Sequence, residues 1–139
     1  FIARLAVKHN FFIISDEIYE KLIYDDEEHI SIGSLGKEIY GLTLTVNGVS
    51  KSYSMTGWRI GYAAGPKDIM DAISNLQSHA TSNPASISQK AALAGMAGDQ
   101  AFIEKMRTEF QKRRDIMVSM VNSIRGISCV RLVSSAGSA

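Results

Sequence analysis

The sequence predicts an α/β fold: a mostly parallel sheet with covering helices, then one long helix, then the opening strand of a second, smaller domain. Three observations predict it. Residues 11–15 form a continuous apolar run of strand length, the pattern of a parallel strand covered on both faces. Residues 42–46 alternate apolar and polar, a second strand. Beyond Gly65-Pro66, apolar residues recur at helical spacing through three successive segments.

Taken in order, residues 1–8 carry Ile2, Leu5 and Ala6 at helical spacing, and His9-Asn10 breaks the pattern. The strand over 11–15 runs straight into Asp16 and Glu17. In open α/β sheets ligands bind at the carboxyl ends of strands, so Asp16 stands where chemistry usually happens. Taken alone, Asp16 also reads as a helix cap and Tyr19 as a packed aromatic. Residues 25–28 are acidic and read as a solvated loop, with His29 exposed beside it. Residues 31–41 hold three glycines and read as a connection with about one helical turn. Asn47-Gly48 ends the second strand, and Lys51 lies just past its carboxyl end. Residues 59–65 form a third strand closed by Gly65-Pro66.

The helical part is clear in pattern. From Lys67, the residues Ile69, Ala72, Ile73, Leu76 and Ala80 make one apolar stripe. Asn83 as cap and Pro84 at the first helical position start the next helix, supported by Ile87, Ala91, Leu93 and Ala94 to about Gly98. Asp99 caps a third helix running to about Arg125, striped by Phe102, Met106, Phe110, Met117, Val121 and Ile124. At roughly 39 Å it is longer than an average helix and suits a strut between domains. Gly126 stops it, and residues 127–133 read as a strand. Both termini read as cut, so the chain is expected to be part of a larger protein.

Composition bounds the function. Of 139 residues, 45% are hydrophobic and 21% charged, which is globular and enough for about one domain. Lys105, Lys112, Arg113 and Arg114 are offset by Glu104, Glu109 and Asp115, and the net charge is +1, so neither nucleic acid nor a membrane surface is an expected partner. No apolar run reaches membrane-spanning length. Cys129 is the only cysteine, so no internal disulfide forms; it reads as a small buried hydrophobe in a reducing, cytoplasmic setting. No metal is expected.

The chemistry concentrates in residues 46–61. Lys51 sits in a run of small and hydroxyl residues, and Arg59 follows eight positions later. Small residues let backbone approach a ligand. Hydroxyls and free N–H groups suit a phosphate, and Arg suits it best. A confined lysine that sheds its proton becomes a nucleophile. A Walker-type phosphate loop is excluded, because Ser50 stands where Gly must precede the lysine.

Gly48-Val49-Ser50-Lys51, Ser54-Met55 and Gly57-Trp58-Arg59-Ile60-Gly61 together resemble the pyridoxal-phosphate lysine signature of the class I/II (fold type I) aminotransferases. Asp16-Glu17-Ile18-Tyr19 resembles that family's aspartate-to-tyrosine segment, and with Lys51 at family-like spacing the functional reading of Asp16 prevails. The resemblance implies pyridoxal 5'-phosphate as cofactor, held by a Schiff base to Lys51. It implies Asp16 at the pyridine nitrogen, Tyr19 at the ring oxygen, and Arg59, Ser50 and the Gly48 backbone at the phosphate. A carboxylate beside the ring nitrogen keeps it protonated, which makes the ring an electron sink. Freed Lys51 is then the catalytic base. The implied reaction moves an amino group between an amino acid and a 2-oxo acid. The implied organisation is the second half of the cofactor-binding large domain over 1–98, an interdomain helix over 99–125, and the start of a small domain over 126–139, in a cytoplasmic homodimer whose partner approaches the Ser82-Asn83-Pro84 loop.

Two departures bear on this. Many relatives carry Ser at the position of Gly48, so only backbone serves there. Some dicarboxylate-specific relatives carry Arg shortly before the Ser-Asn-Pro loop, where Gln77, Ser78, His79 and Ala80 stand, so substrate specificity stays open. The family's ring-stacking aromatic, Gly-rich phosphate loop and carboxylate-gripping Arg fall outside these residues, and the isolated chain is expected to be inactive. A related lyase or synthase, a non-catalytic cofactor-binding regulatory domain and a structural α/β fragment remain as alternatives.

Overall fold

The computed structural model describes residues 1–133; the end of the expected small-domain segment, 134–139, lies outside the described residues. Helix α1 (Ile2–His9) ends at Asn10, whose left-handed backbone (φ 53°) lets its N–H return to the Ala6 carbonyl. Strand β1 (Ile13–Asp16) follows. A 3₁₀ turn (Ile32–Leu35) and the one-turn helix α2 (Lys37–Tyr40) fill the glycine-rich connection to strand β2 (Thr43–Gly48). A second 3₁₀ turn (Thr56–Trp58) precedes strand β3 (Gly61–Ala64). Helices α3 (Lys67–Ala80), α4 (Ser86–Ala97) and α5 (Ala101–Asn122) complete the described part.

The sheet has the order β1-β2-β3. Strands β1 and β2 are parallel, with Asp16 opposite Val46. Strand β3 is antiparallel to β2, with Gly48 opposite Gly61. The sheet is therefore mixed rather than mostly parallel. The cause lies in the connection. A parallel return needs a crossover, usually a helix, and residues 49–60 form only turns, so the chain re-enters the sheet at the edge where it left. Consequently the carboxyl ends of β1 and β2 and the start of β3 share one edge.

Val49, Ile60 and Ala92 form the buried cluster behind that edge, with Tyr53 and Met55 packed against it. Two members flank the Lys51 turn, and the third comes from α4. Removing Val49 from water contributes about 1.5–3 kcal/mol, so the turn rests on a packed floor.

Several expectations shift. Phe11 and Phe12 lie before β1 and are exposed, and Ile14 is 72% exposed, so β1 is not covered on both faces among the described residues. Helix α4 starts two residues after Pro84 with Ala85 at its cap, not Asn83, and it buries Ser88 and Ala92 rather than Ile87 or Leu93. Helix α3 has its expected stripe but buries none of it. In α5 the cap position is Gln100, not Asp99, which lies one residue earlier and accepts the Ala101 N–H through its carboxylate at 2.9 Å. Residues 127–133 make no strand; instead the Asn122 side chain brackets the Cys129 backbone. Cys129 is exposed, not buried. No helix among the described residues is long and apolar enough to cross a membrane.

Candidate active site

Asp16 closes β1, Lys51 lies three residues beyond β2, and Arg59 lies two residues before β3. The strand register brings all three to the same sheet edge. Asp16 is exposed there, and its Oδ1 accepts the Ile18 N–H at 3.1 Å, which turns the chain toward Tyr19. The Lys51 amine lies over the Tyr19 ring, 5.6 Å from its centre. An open cleft of about 450 Å³ surrounds this pair, lined also by Leu22, Tyr24, Ser50, Ser54, Thr56 and Phe110.

The turn that presents Lys51 is internally braced. Tyr53 N–H returns to the Val49 carbonyl and Ser54 N–H to the Lys51 carbonyl, both at 3.2 Å. The Thr56 hydroxyl donates to the Ser50 carbonyl at 3.2 Å. Ser54 and Arg59 both adopt the left-handed region, φ 53° and 55°. Such conformations cost about 1–3 kcal/mol each and cluster at ligand sites. Arg59 is exposed and donates to the Thr56 carbonyl at 3.1 Å.

Lys67, Arg107, Arg113, Arg114 and Arg131 pair with carboxylates; Lys51 and Arg59 have no acidic partner among the described residues, a condition they share with Arg4, Lys8, Lys21, Lys37, Lys90, Lys105, Lys112 and Arg125. Lys51, Tyr19 and Ser50 line one cleft; Asp16, Gly48 and Arg59 are not among its lining residues, and the Arg59 guanidinium meets a backbone carbonyl, that of Thr56. Gly48 contributes room more than bonds. Its N–H already meets Asn47 Oδ1 at 2.7 Å, and a Cβ there would stand 2.9 Å from the Ile60 carbonyl oxygen.

Glu17, beside Asp16, is buried and structural. It accepts from Ser31 at 2.7 Å and Ser15 at 3.2 Å, and lies 3.0 Å from His29 Nε2. Burial pushes its carboxyl up, but the bonds from Ser31, His29 and Ser15 outweigh burial and hold it below the ordinary carboxylate value. Glu17, Glu20 and His29 bring ligand atoms within 4.8 Å of one another; the bonds already made to Glu17 give that trio a structural account. The acidic loop departs from its expected solvation, because Asp25 accepts a bidentate pair from Arg114 at 2.7 Å. A groove of about 490 Å³ between α1 and α2 matches the Lys51 cleft in size but holds no hydroxyl or aromatic side chain.

Leu22, Tyr24 and Phe110 escaped the sequence reading. Phe110 was legible only as one position of a helical stripe, and it lines the cleft with Tyr24 across 86 residues of chain with no local signal. Ser54 and Thr56 were within reach, since both sit in the hydroxyl-rich run around Lys51.

Comparison with known proteins gives the family and the fold. The family model described as "Aminotransferase class I and II" matches residues 1–134. An aspartate aminotransferase of Geobacillus stearothermophilus is 50% identical over 130 residues, which is 94% of this chain and 33% of that enzyme. An aspartate/prephenate aminotransferase of Cereibacter sphaeroides is 50% identical over 117 residues, 84% of this chain and 29% of that enzyme. The crystal structure of the aspartate aminotransferase from Rhizobium meliloti superposes with a TM-score of 0.92 at 40% identity, covering 95% of this chain and 33% of that one. The chain thus spans about a third of the length of the relatives it matches.

Proposed function

The chain belongs to the class I and II aminotransferases, which use pyridoxal phosphate, and from that membership we propose that the whole protein transfers an amino group between an amino acid and a 2-oxo acid. Aspartate is the amino donor this reading favours, since relatives at 50% identity bear that name. The reading assigns residues 1–98 to the second half of the large domain, 99–125 to an interdomain helix and 126–139 to the start of a small domain, in a cytoplasmic homodimer. The single observation that carries the local chemistry is Lys51, whose amine lies over the Tyr19 ring in a cleft lined also by the hydroxyl residues Ser50, Ser54 and Thr56.

Pyridoxal phosphate, when bound, supplies an aldehyde for the lysine and an electron-withdrawing ring that acidifies the substrate's α-carbon. Lys51 Nζ would anchor it and would be the base that takes the proton from the substrate's Cα. Asp16 would hold a proton on the ring nitrogen, and the Tyr19 phenol would donate to the ring oxygen. Arg59 would grip the phosphate, with the Ser50 hydroxyl assisting, and Gly48 would let β3 approach behind the turn. Family membership and the shared sheet edge support these assignments.

Borohydride treatment of the full-length protein, followed by peptide mapping, is expected to fix the cofactor on Lys51 and to leave a Lys51→Ala protein unlabelled. Label elsewhere, or none, refutes the assignment.

A further inference from the structure

Tyr19, Leu22 and Tyr24 line the cleft from a segment, residues 19–27, that forms no helix, and its position is set from outside. Helix α5 reaches them three times. Arg107 Nη1 donates to the Ile23 carbonyl at 3.1 Å. The Asp25 N–H donates to Gln111 Oε1 at 3.2 Å. Arg114 donates through both Nη atoms to the Asp25 carboxylate at 2.7 Å, while its guanidinium lies 4.9 Å from the centre of the Tyr24 ring. The Arg114 side chain is 10% exposed and that of Asp25 25%, so this bidentate pair is only partly screened from the water that weakens surface ion pairs.

The same node gathers the segment beyond α5. Arg131 Nη2 donates to Asp25 at 2.6 Å, Arg114 Nη1 to the Leu132 carbonyl at 2.7 Å, and the Tyr24 N–H to the Val133 carbonyl at 2.7 Å. At its other end the segment closes on Tyr19, whose carbonyl accepts the Leu22 N–H at 2.8 Å. Asp25 and Asp26 both adopt the left-handed region, φ 62° and 58°, a kink that the surrounding bonds must hold.

We propose that Asp25, clamped by Arg114 and Arg131, is a positioning residue that sets the Tyr19 phenol against Lys51, and so ties the cofactor site to α5 and to the chain that follows it. The inference rests on the assignment of Tyr19 and Lys51 to the cofactor. Asp25 touches no reacting atom; it acts through the short path Asp25–Tyr24–Leu22–Tyr19.

The test uses the full-length protein with pyridoxal phosphate, reading the cofactor's dissociation constant and the pH midpoint of its bound absorbance. Asp25→Asn, which keeps size and loses charge, is expected to weaken retention by roughly three- to tenfold and to move the midpoint in the direction that Tyr19→Phe moves it. In a Tyr19→Phe background, Asp25→Asn should leave the midpoint where Tyr19→Phe alone puts it. Arg114→Lys, which keeps charge but loses the two-pronged geometry, is the second variant if Asp25→Asn does not fold, with the same expectations. Loss of melting temperature with both cofactor readouts unchanged overturns the proposal, as does an equal midpoint shift with and without Tyr19. A wild-type protein that retains no cofactor overturns the aminotransferase reading and this inference together; retention by wild type with an indifferent Asp25→Asn overturns this inference alone.

Discussion

At the scale of single residues, Asp16 and Glu17 are sequence neighbours with opposite situations. Asp16 is exposed at the strand end, whereas Glu17 is 5% exposed and saturated with hydrogen bonds. Glu17→Gln in the full-length protein removes the charge and is expected to cost about 1–3 kcal/mol. Its pH dependence has a definite sign. The folded carboxyl lies below its ordinary value of 4.5, so its contribution is complete above that value and is lost as the pH falls through the lowered one. Melting temperatures of wild type and variant should converge as the pH falls below about 4.5; a gap that persists undiminished in strong acid contradicts the account. The sequence made Asp16 legible because strand ends carry ligands in such sheets. It gave no sign that Glu17 would be buried, because Ser31 and His29 reach it from a loop with no periodicity.

At the scale of elements, the helices and strands followed from apolar spacing, but their pairing sense did not. Residues 59–65 read as a strand without revealing direction, which the turns over 49–60 decide. The close approach of β2 to β3 is likewise hidden in the sequence, where Gly48 appears only as a missing hydroxyl. In the fold, a side chain there would press on the Ile60 carbonyl at 2.9 Å and on Gly61 Cα at 3.2 Å. Backbone on both counts leaves little room to yield. Gly48→Ser, which restores the residue many relatives carry, should therefore lower stability by about 1–3 kcal/mol and leave cofactor retention no tighter than wild type. Thermal melting of the apo protein and a cofactor titration check both parts; a stable variant that binds more tightly shows that the strands separate readily. Helix α5 was legible in span; of its expected basic cluster Arg113 and Arg114 pair with Glu109 and Asp115, Glu104 pairs instead with Arg107, and Lys105 and Lys112 have no acidic partner among the described residues. Its reach to Asp25 was not, since the partners stand 89 residues apart.

At the scale of the whole molecule, surface area decides how these residues behave alone. The chain exposes 9952 Å² at a mass of 15.2 kDa, whereas a compact monomer of that mass exposes about 7,100 Å². The excess is apolar in part: Ile14 on β1, Leu76 on α3, Ile87 and Leu93 on α4, and Met117 and Met120 on α5 are all more than half exposed. Strands β1 and β3 each present an unpaired edge within the described sheet, and such edges recruit other chains. The stripes on α3 and α4 stay exposed among the described residues, in a stretch that spans a third of its relatives' length. Residues 1–139 produced alone should elute from size exclusion as mixed oligomers, bind a hydrophobic dye strongly, and show no turnover of aspartate with a 2-oxo acid. The full-length protein should reverse all three results. A monodisperse, dye-silent preparation of residues 1–139 would mean that the exposed faces are compatible with water as they stand, and turnover from it would mean that Lys51, Asp16 and Arg59 suffice without the rest of the site.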